Sequence, residues 1–287
     1  MRVIARAKIN WTLDILSRRP DGYHEMDMLM QPISLSDEIT LLPAGEITLT
    51  TSGTPLIPAD SSNLAYRAAV ALREHTGYRG GASIHVCKRI PAGAGLGGGS
   101  ADAAGVLAGL SRLWGLGLAQ EQLEAIGLTL GADIPFCLRG GLARVGGIGE
   151  RIVSISGGPS LPCVIIQPCE GLSTGDVFRA YHAMPDCRRP RTEQALHALV
   201  TGDCDALSAS LGNVLEEVSR ARRPGIAQAV DALRACGALC AQMSGSGSAV
   251  FGIFRDADAA AAAHRTLGAR WERCHLCETC DKSIVMD

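Results

Sequence analysis

Residues 91–104 read PAGAGLGGGSADAA, and this glycine-rich stretch decides the fold. Five of the seven positions from 93 to 99 are glycine, a residue that permits positive φ and close backbone approach. Several N–H groups of such a loop can therefore point into one concavity. Residues 82–90 before it read as a strand, and the alanine- and leucine-rich residues 100–113 after it read as a helix. A loop that opens a helix N-terminus is a favourable place for a polyphosphate anion.

Two other readings of this loop compete with a polyphosphate site. The spacing Gly93-x-Gly95-x-x-Gly98 matches the dinucleotide-binding fingerprint, which expects an acidic residue about 20 residues further on, at the end of the next strand. The residues after Trp114 instead read GLGLAQEQ and begin another helix. A Walker A loop is excluded because no Gly-Lys-Ser/Thr follows the glycines. A glycine-rich turn without any ligand stays open, although such a turn costs backbone entropy.

The composition limits the classes of protein that the chain could be. With 287 residues, 47% of them hydrophobic and 20% charged, and a formal net charge of −2, it is typical of a globular protein, and its length fits one large α/β unit or two domains of ordinary size. Nothing in the charge pattern indicates a nucleic-acid or membrane partner. The eleven cysteines are odd in number and no signal peptide precedes them, so we expect a cytoplasmic protein with reduced thiols.

The coarse order of elements follows from periodicity and from turn residues. Strands are predicted at residues 2–15, 38–42, 46–51, 82–90 and 163–167, with short strands after Gly140 and Gly141. Helices are predicted from a cap at Ser61 or Ser62 to about residue 75, and at 100–113, 120–130, 174–181, 192–199 and 226–236. Residues 239–275 read as strand, glycine-serine loop, strand, helix and strand. A composition shift near residues 157–162 predicts two domains, 1–157 and 158–287.

Three ordered motifs together resemble those of the GHMP kinases. The central one is the glycine loop, which is similar to the family pattern of a proline followed by Gly-Leu-Gly/Ser-Ser/Gly-Ser. The letters AKIN at residues 7–10 precede it, and MSGSGSAVFG at residues 243–252 resembles the closing glycine loop of that family. Because the three motifs occur in family order across nearly the whole chain, the sequence is identified as a member of this family.

The resemblance implies an α+β fold of two domains, with an N-terminal domain like a ribosomal-protein domain and a ferredoxin-like C-terminal domain. ATP and a small-molecule substrate would meet in the cleft between them, and Mg²⁺ would be required. Asp133, in the letters GADIPF, matches the carboxylate that accepts the hydroxyl proton, and Lys8 matches the lysine that orients it. Phosphoryl transfer depends on positioning and charge stabilisation, which such a pair can provide.

A further match narrows the expected substrate. The letters RPDGYHE at residues 19–25 resemble the members of the family whose substrate is a cytidine diphosphate ester of a sugar alcohol, phosphorylated on its 2-hydroxyl. By this resemblance Tyr23 and Phe178 would sandwich the cytosine and His24 would contact its edge. Asn10 and Thr174 match polar neighbours in the substrate pocket. Stacking would supply affinity, and edge hydrogen bonds would select the base.

The resemblance also assigns the nucleotide side of the cleft. Asn63 and Lys88 would lie near the adenine, and Ser100 could also hold the magnesium ion. The residues expected around the phosphates are Pro91, Ala92, Gly93, Ala94, Gly95, Leu96, Gly97, Gly98, Gly99 and Ser100. Ala92 and Trp11 depart from the family pattern, where a larger residue and a leucine are common, so they alter the expected shape of the pocket. We expect a monomer or a weak homodimer.

Several alternatives stay open at this stage. The chain could be another GHMP kinase, acting on homoserine or mevalonate, or a non-catalytic ligand sensor of the same fold. Taken singly, Tyr23 and Phe178 could be core residues, Asp133 a helix-end carboxylate and Lys8 an outward strand residue. Near the C-terminus, Cys274, His275, Cys277 and Cys280 suggest a metal site, but four candidate ligands within seven residues lack the separated pairs of a closed zinc site. Free or adventitiously oxidised thiols are the favoured interpretation.

Overall fold

The computed structural model describes residues 1–181 and 187–287, which form twelve strands and ten helices. The strands are β1 (Arg2–Arg18), β2 (His24–Ala44), β3 (Thr48–Gly53), β4 (Gly81–Lys88), β5 (Leu142–Gly147), β6 (Arg151–Ile155), β7 (Pro162–Ile166), β8 (Gly212–Asn213), β9 (Cys240–Met243), β10 (Val250–Ile253), β11 (Cys274–Glu278) and β12 (Ile284–Met286). The helices are α1 (Leu64–Thr76), α2 (Gly98–Leu113), α3 (Gln120–Leu128), α4 (Ile134–Arg139), α5 (Thr174–Tyr181), α6 (Thr192–Thr201), α7 (Cys204–Ser210), α8 (Glu216–Arg222), α9 (Gly225–Ala235) and α10 (Ala257–Gly268). The α+β class is confirmed.

A long antiparallel pair, β1 and β2, is the backbone of the first sheet. The sheet runs β12-β1-β2-β4-β3, with β5 and β6 extending from β2 and the short β8 on β1. The prediction of a short strand at 38–42 was wrong in length, because β2 already begins at His24. The earlier part of the strand was not predicted because it contains Pro32, and proline normally interrupts the hydrogen-bond ladder of a sheet. Here it lies next to a register shift between Arg6 and Lys8, where a bulge accommodates it.

Helix α2 lies unusually close to this sheet, and its closeness positions the glycine loop. A Cβ atom on Gly105 would come within 2.7 Å of Ile39, and one on Gly109 within 2.4 Å of Leu41. A larger residue at either position would displace those side chains, so the two glycines let the helix pack at this depth, with most of its length buried. The N-terminus of α2 is therefore held against β1 and β2, the two strands that carry several of the expected site residues.

The second sheet is antiparallel, with the order β11-β7-β10-β9 and with α9 and α10 packed on it. It joins the first sheet through Trp11, which is fully buried and meets Phe251 edge-on with 5.7 Å between ring centroids. The indole N–H of Trp11 donates to Gln31 at 3.0 Å. Trp11 thus fills the core between the sheets rather than the ligand cleft.

The loop at residues 157–162 does connect the two sheets, so the division at 157/158 remains a reasonable prediction. Two short segments after it nevertheless return to β1: Gly212 pairs with Thr12, and β12 pairs with residues 3–5. Strands of two and three residues are too short to show periodicity, and the sequence did not predict them. None of the helices in the described ranges combines the length and apolar character that a membrane crossing requires.

The cap of α1 was also predicted wrongly. Asn63, not Ser61 or Ser62, is the N-cap, and its Oδ1 accepts from the backbone N–H of Ala65 at 2.9 Å. Ser62 is used instead in a turn, where its N–H and its hydroxyl both donate to Asp60 at 2.8 and 2.6 Å. A serine bonded back to the preceding aspartate is not available as a cap.

Candidate active site

A cleft of about 1310 Å³ opens between the two sheets. It is lined by β1, β2, the glycine loop, the start of α4, helix α5 and the closing glycine loop at residues 244–248. Nearly all residues singled out from the sequence line it: Lys8, Asn10, Tyr23, His24, Asn63, Lys88, Asp133, Thr174, Phe178 and every loop residue from Pro91 to Ser100 except Leu96. The fold therefore gathers into one space the residues that the motifs had assigned to two ligands.

Lys8 and Asp133 form an ion pair at the centre of the cleft. The Nζ atom of Lys8 lies 3.6 Å from Oδ2 of Asp133 and donates to Oδ1 of Asn10 at 2.7 Å. Lys8 is buried, whereas 35% of the Asp133 side chain is exposed. Asp133 precedes α4 but makes no side-chain capping bond. Its carboxylate is therefore not used by the helix end and is accessible to a ligand.

The glycine loop rests directly on the Lys8 side chain. The N–H of Lys8 donates to the carbonyl of Leu96 at 2.9 Å, which ties β1 to the middle of the loop. Gly97 has φ +71°, and a Cβ atom there would lie 3.1 Å from Cγ and 3.2 Å from Cε of Lys8. Leu96 itself is buried and contributes its backbone rather than its side chain.

The two glycine loops pack against each other. The hydroxyl of Ser244 donates to the carbonyl of Gly95 at 3.0 Å, and the N–H of Ala249 donates to the carbonyl of Ala94 at 3.0 Å. A Cβ on Gly95 would lie only 2.1 Å from the carbonyl oxygen of Ser244. The closing loop also adds Gly245 and Ser246 to the cleft wall, which the sequence reading had not assigned.

The ammonium group of Lys88 forms ion pairs with two carboxyl groups. Its Nζ donates to Asp102 at 2.6 Å and also to Asp37, and only 3% of its side chain is exposed. Burial lowers the pKa of Lys88, but Asp102 and Asp37 more than offset this, so the pKa lies above its ordinary value. Burial also raises the pKa of Asp102, against the opposing effect of Lys88. Proximity of Lys88 to adenine stays a prediction.

Asn63 lines the cleft beside the apolar side chains of Ile57 and Leu64. Besides capping α1, it donates through Nδ2 to the carbonyl of Pro58 at 2.7 Å. Both polar ends of its amide are thus held, and the group is fixed in orientation. A fixed amide beside apolar side chains is suited to a flat heteroaromatic ring such as a purine.

Aromatic rings line the other end of the cleft. The rings of His24 and Phe178 stack with centroids 4.7 Å apart and planes 25° from parallel, and Tyr23 is 60% exposed. The hydroxyls of Thr174 and Ser246 lie 3.0 Å apart nearby. Exposure argues against a core role for Tyr23. The ring that faces Phe178 here is His24, and a cytosine between Tyr23 and Phe178 remains a prediction.

The charges of the cleft include two arginines that the motifs did not reveal, Arg18 and Arg179. Arg179 pairs with Asp176 on the same helix, and Lys8 and Lys88 also have carboxylate partners. Within the described ranges Arg18 alone among these four cations makes no ion pair. Because neither arginine lies in a family motif, the sequence alone could not predict that they line the cleft.

Cys274, Cys277 and Cys280, hereafter the tail cysteines, lie on and just after β11 without a disulfide. Cys277 is buried opposite Cys163 of β7, whereas Cys274 and Cys280 are partly exposed. Because side chains three apart on a strand point to opposite faces, Cys274 and Cys277 cannot share one ion. Among the described residues no group of three or more His, Cys, Asp or Glu side chains is arranged to hold a metal.

Comparison with known proteins gives one consistent result. Residues 63–141 match the GHMP kinases N terminal domain, and residues 195–273 match the GHMP kinases C terminal domain. The chain is 42% identical to the 4-diphosphocytidyl-2-C-methyl-D-erythritol kinase of Alkaliphilus metalliredigens, over 96% of this chain and 95% of that one. It is 45% identical to the enzyme of the same name from Symbiobacterium thermophilum, over 90% and 92%.

Solved structures agree with the sequence comparison. A crystal structure of 4-(cytidine 5'-diphospho)-2C-methyl-D-erythritol kinase superimposes with a TM-score of 0.84 at 37% identity, covering 97% of this chain and 99% of that one. A homoserine kinase from Cytophaga hutchinsonii superimposes with a TM-score of 0.76 at 18% identity, covering 99% and 96%. The second likeness shows the fold alone.

Proposed function

The chain belongs to the GHMP kinase family, and from this premise we propose that it phosphorylates 4-diphosphocytidyl-2-C-methyl-D-erythritol. The γ-phosphoryl group of ATP is transferred to the 2-hydroxyl of the methylerythritol part, giving ADP and the 2-phosphate. The reaction is a step in the formation of isoprenoid precursors by the non-mevalonate route. Relatives that are 41–45% identical over most of the chain and carry this enzyme name support the assignment.

One structural observation carries the proposal beyond the family. The Lys8–Asp133 pair and the stacked rings of His24 and Phe178 line the same cleft, with the glycine loop beside them. A substrate with a phosphorylatable hydroxyl at one end and a nucleobase at the other matches this arrangement. A small acceptor such as homoserine or mevalonate would leave the aromatic end of the cleft unused.

In the proposed mechanism Asp133 accepts the proton of the attacking 2-hydroxyl. Its exposed carboxylate can reach a ligand, and Lys8, 3.6 Å away, holds it in place and offsets negative charge during transfer. Asn10 accepts from Lys8 and thereby fixes the direction of the ammonium group. Little covalent chemistry is required of the protein, because phosphoryl transfer depends mainly on alignment and electrostatics.

The phosphates of ATP are assigned to the concavity of the glycine loop and the N-terminus of α2. Gly93, Gly95 and Gly97 all have positive φ, and the first amides of α2 have no acceptor within the helix. These groups bind anions without adding a formal charge. Asn63, Ile57 and Leu64 are proposed to hold the adenine.

Mg²⁺ is proposed as the accompanying ion. The cleft offers the hydroxyl of Ser100, and the described residues provide no cage of three or more acidic, histidine or cysteine ligands. This sparse donor set fits magnesium, which is commonly bound by one or two protein oxygens together with phosphates and water. When bound, the ion neutralises charge on the β- and γ-phosphates.

The cytidine diphosphate group is assigned to the aromatic end. Tyr23 and Phe178 would stack on the base, His24 would contact its edge, and Thr174 would lie beside the ribose or phosphates. Arg18, whose charge has no carboxylate partner in the described chain, is available for the diphosphate.

The decisive experiment compares acceptors. Release of ADP from ATP is measured with 4-diphosphocytidyl-2-C-methyl-D-erythritol, homoserine and mevalonate at equal concentrations. We expect turnover with the first substrate only, with phosphate on the 2-hydroxyl by phosphorus NMR. Turnover with homoserine or mevalonate alone would assign the chain to a different kinase, and nucleotide binding without turnover of any acceptor would favour a ligand sensor.

A further inference from the structure

The buried cluster of Asp37, Lys88 and Asp102 has no part in the mechanism described above. Asp37 comes from β2, Lys88 from the end of β4 and Asp102 from the second turn of α2. All three side chains are at most 3% exposed, and Lys88 donates to both carboxylates. Oδ1 of Asp102 is buried without a hydrogen-bond partner in the structure.

This cluster connects the two ends of the glycine loop. On the entry side, Oδ1 of Asp37 accepts from the backbone N–H groups of Arg89 at 2.6 Å and of Ile90 at 2.9 Å, immediately before Pro91. On the exit side, Asp102 lies four residues after Gly98, the first residue of α2, and three after Gly99, the last glycine of the loop. Lys88 bridges the two carboxylates, so both ends of the loop are tied to one ammonium group and, through Asp37, to the sheet.

The position of Lys88 links the cluster to the phosphate site. Its Nζ lies 3.5 Å from the place that a Cβ would occupy on Gly98, the first residue of α2. Lys88 and Asp102 both line the cleft, where Lys88 lies beside the glycine loop. Two acidic groups next to a site for a triphosphate oppose binding when both are charged. The ammonium group offsets one of these charges, and burial, which raises the pKa of Asp102 to about 8, favours a proton on the other.

Stability alone does not account for such a cluster. Buried ion pairs contribute little net stability compared with well-packed apolar groups, because desolvation of the charges is costly. Their geometry, however, is strict, since each charge needs its partner at hydrogen-bond distance. A charged group of this kind is suited to holding a loop in one conformation.

We propose that Asp37 and Asp102 are positioning residues for nucleotide binding, which share Lys88 and thereby hold the glycine loop in the conformation that receives the phosphates. Lys88 then acts through the loop rather than as a contact to the adenine. The proposal rests on the proposed function only in taking ATP as the ligand of the loop. It extends that function by adding two residues that no family motif assigned.

The test measures nucleotide affinity separately from affinity at the aromatic end. Calorimetric titration of the full chain with ADP and, independently, with CDP is carried out on Asp37→Asn, Asp102→Asn and Lys88→Met. Asp37→Asn keeps an oxygen for the two backbone N–H groups while replacing the charge that faces Lys88. We expect the Kd for ADP to rise roughly tenfold or more in Asp37→Asn and Lys88→Met, the loss expected when a charge-assisted hydrogen bond is removed. The Kd for CDP should stay within about twofold.

Two further variants distinguish positioning from general destabilisation. Leu233→Ala truncates a fully buried side chain of α9, the helix that packs on the second sheet, and should lower the melting temperature without changing either Kd. The double variant Lys88→Met with Asp102→Asn should bind ADP more tightly than Lys88→Met alone, because it leaves one buried acidic group without a cation instead of two.

The possible results distinguish failure of this proposal from failure of the proposed function. Unchanged ADP affinity in folded Asp37→Asn and Asp102→Asn would overturn the proposal, as would an equal loss of ADP and CDP affinity. If Lys88→Met does not fold, the milder Asp37→Asn still decides, by its ratio of ADP to CDP affinity. Failure of the wild-type chain to phosphorylate the cytidylated acceptor would refute the proposed function while leaving these binding results intact.

Discussion

Gly97→Ala tests whether the glycine loop and Lys8 form one unit. Gly97 precedes α2 with φ +71°, and Gly115 follows the same helix with φ +65°. A left-handed conformation costs an L-residue about 1–2 kcal/mol, so alanine at either position should lower stability similarly. For a chain of this size that corresponds to a melting temperature lower by roughly 2–8 °C, at about 2–4 °C per kcal/mol.

The two positions differ in what surrounds the added methyl group. At Gly115 the methyl would have no atom within 4 Å beyond its two chain neighbours, whereas at Gly97 it would lie 3.1 Å from Cγ and 3.2 Å from Cε of Lys8. Those contacts are a few tenths of an ångström too short, so the side chain of the buried lysine, which pairs with Asp133, must shift. Since misplacement by about 1 Å can cost on the order of a hundredfold in rate, we expect kcat to fall about tenfold in Gly97→Ala. Gly115→Ala should retain the wild-type kcat.

The assay is steady-state ADP release with both substrates saturating, together with thermal unfolding of both variants. Equal melting temperatures with unequal kcat would support the contact between the loop and Lys8. The reasoning is refuted if the two alanine variants have the same kcat, or if Gly97→Ala loses activity only in proportion to its unfolded fraction.

Three further predictions concern chemistry, recognition and the tail. Asp133→Asn should lower kcat at least about a hundredfold while KM for ATP stays within a few-fold, and Lys8→Ala should have the same effect. The two losses should not add in the double variant. An Asp133 variant with near wild-type single-turnover rates would contradict this prediction. Tyr23→Ala and Phe178→Ala should raise KM for the cytidylated substrate roughly tenfold or more and leave KM for ATP unchanged, since stacking contributes about 1–3 kcal/mol per base; equal effects on both KM values would mean that the rings shape the whole cleft. Serine at all three tail cysteines should leave kcat unchanged, and loss of activity on removal of a stoichiometric metal would show the opposite.

Local chemistry made much of the site predictable. The concavity of the glycine loop follows from glycine backbone freedom, and the helix after it follows from its alanine and leucine content. These are properties of neighbouring residues, and they are visible in one sequence. The roles of Lys8 and Asp133 came instead from motif resemblance, because neither residue type nor spacing distinguishes a catalytic carboxylate from a helix-end one.

Contacts between distant segments could not be read in the same way. The sequence marked Lys88 as a nucleotide residue, but only the fold shows that Asp37 and Asp102 take up its ammonium group. Likewise, the stacking of His24 on Phe178 depends on where α5 lies relative to β2. Such pairs form between residues far apart in the chain, when sheets and helices pack together, and a local sequence pattern cannot predict them.

The sequence by itself determined the family, the α+β class and the place of the phosphate loop, because each depends on short-range patterns. The tertiary structure decided which strands pair and how the two glycine loops pack together. It extended β2 through Pro32, returned β12 to the first sheet, and packed Gly95 against Ser244 so that the two glycine loops close one cleft. Side-chain size and hydrogen bonding across the assembled sheets fix those contacts, and they become defined only once the chain is folded.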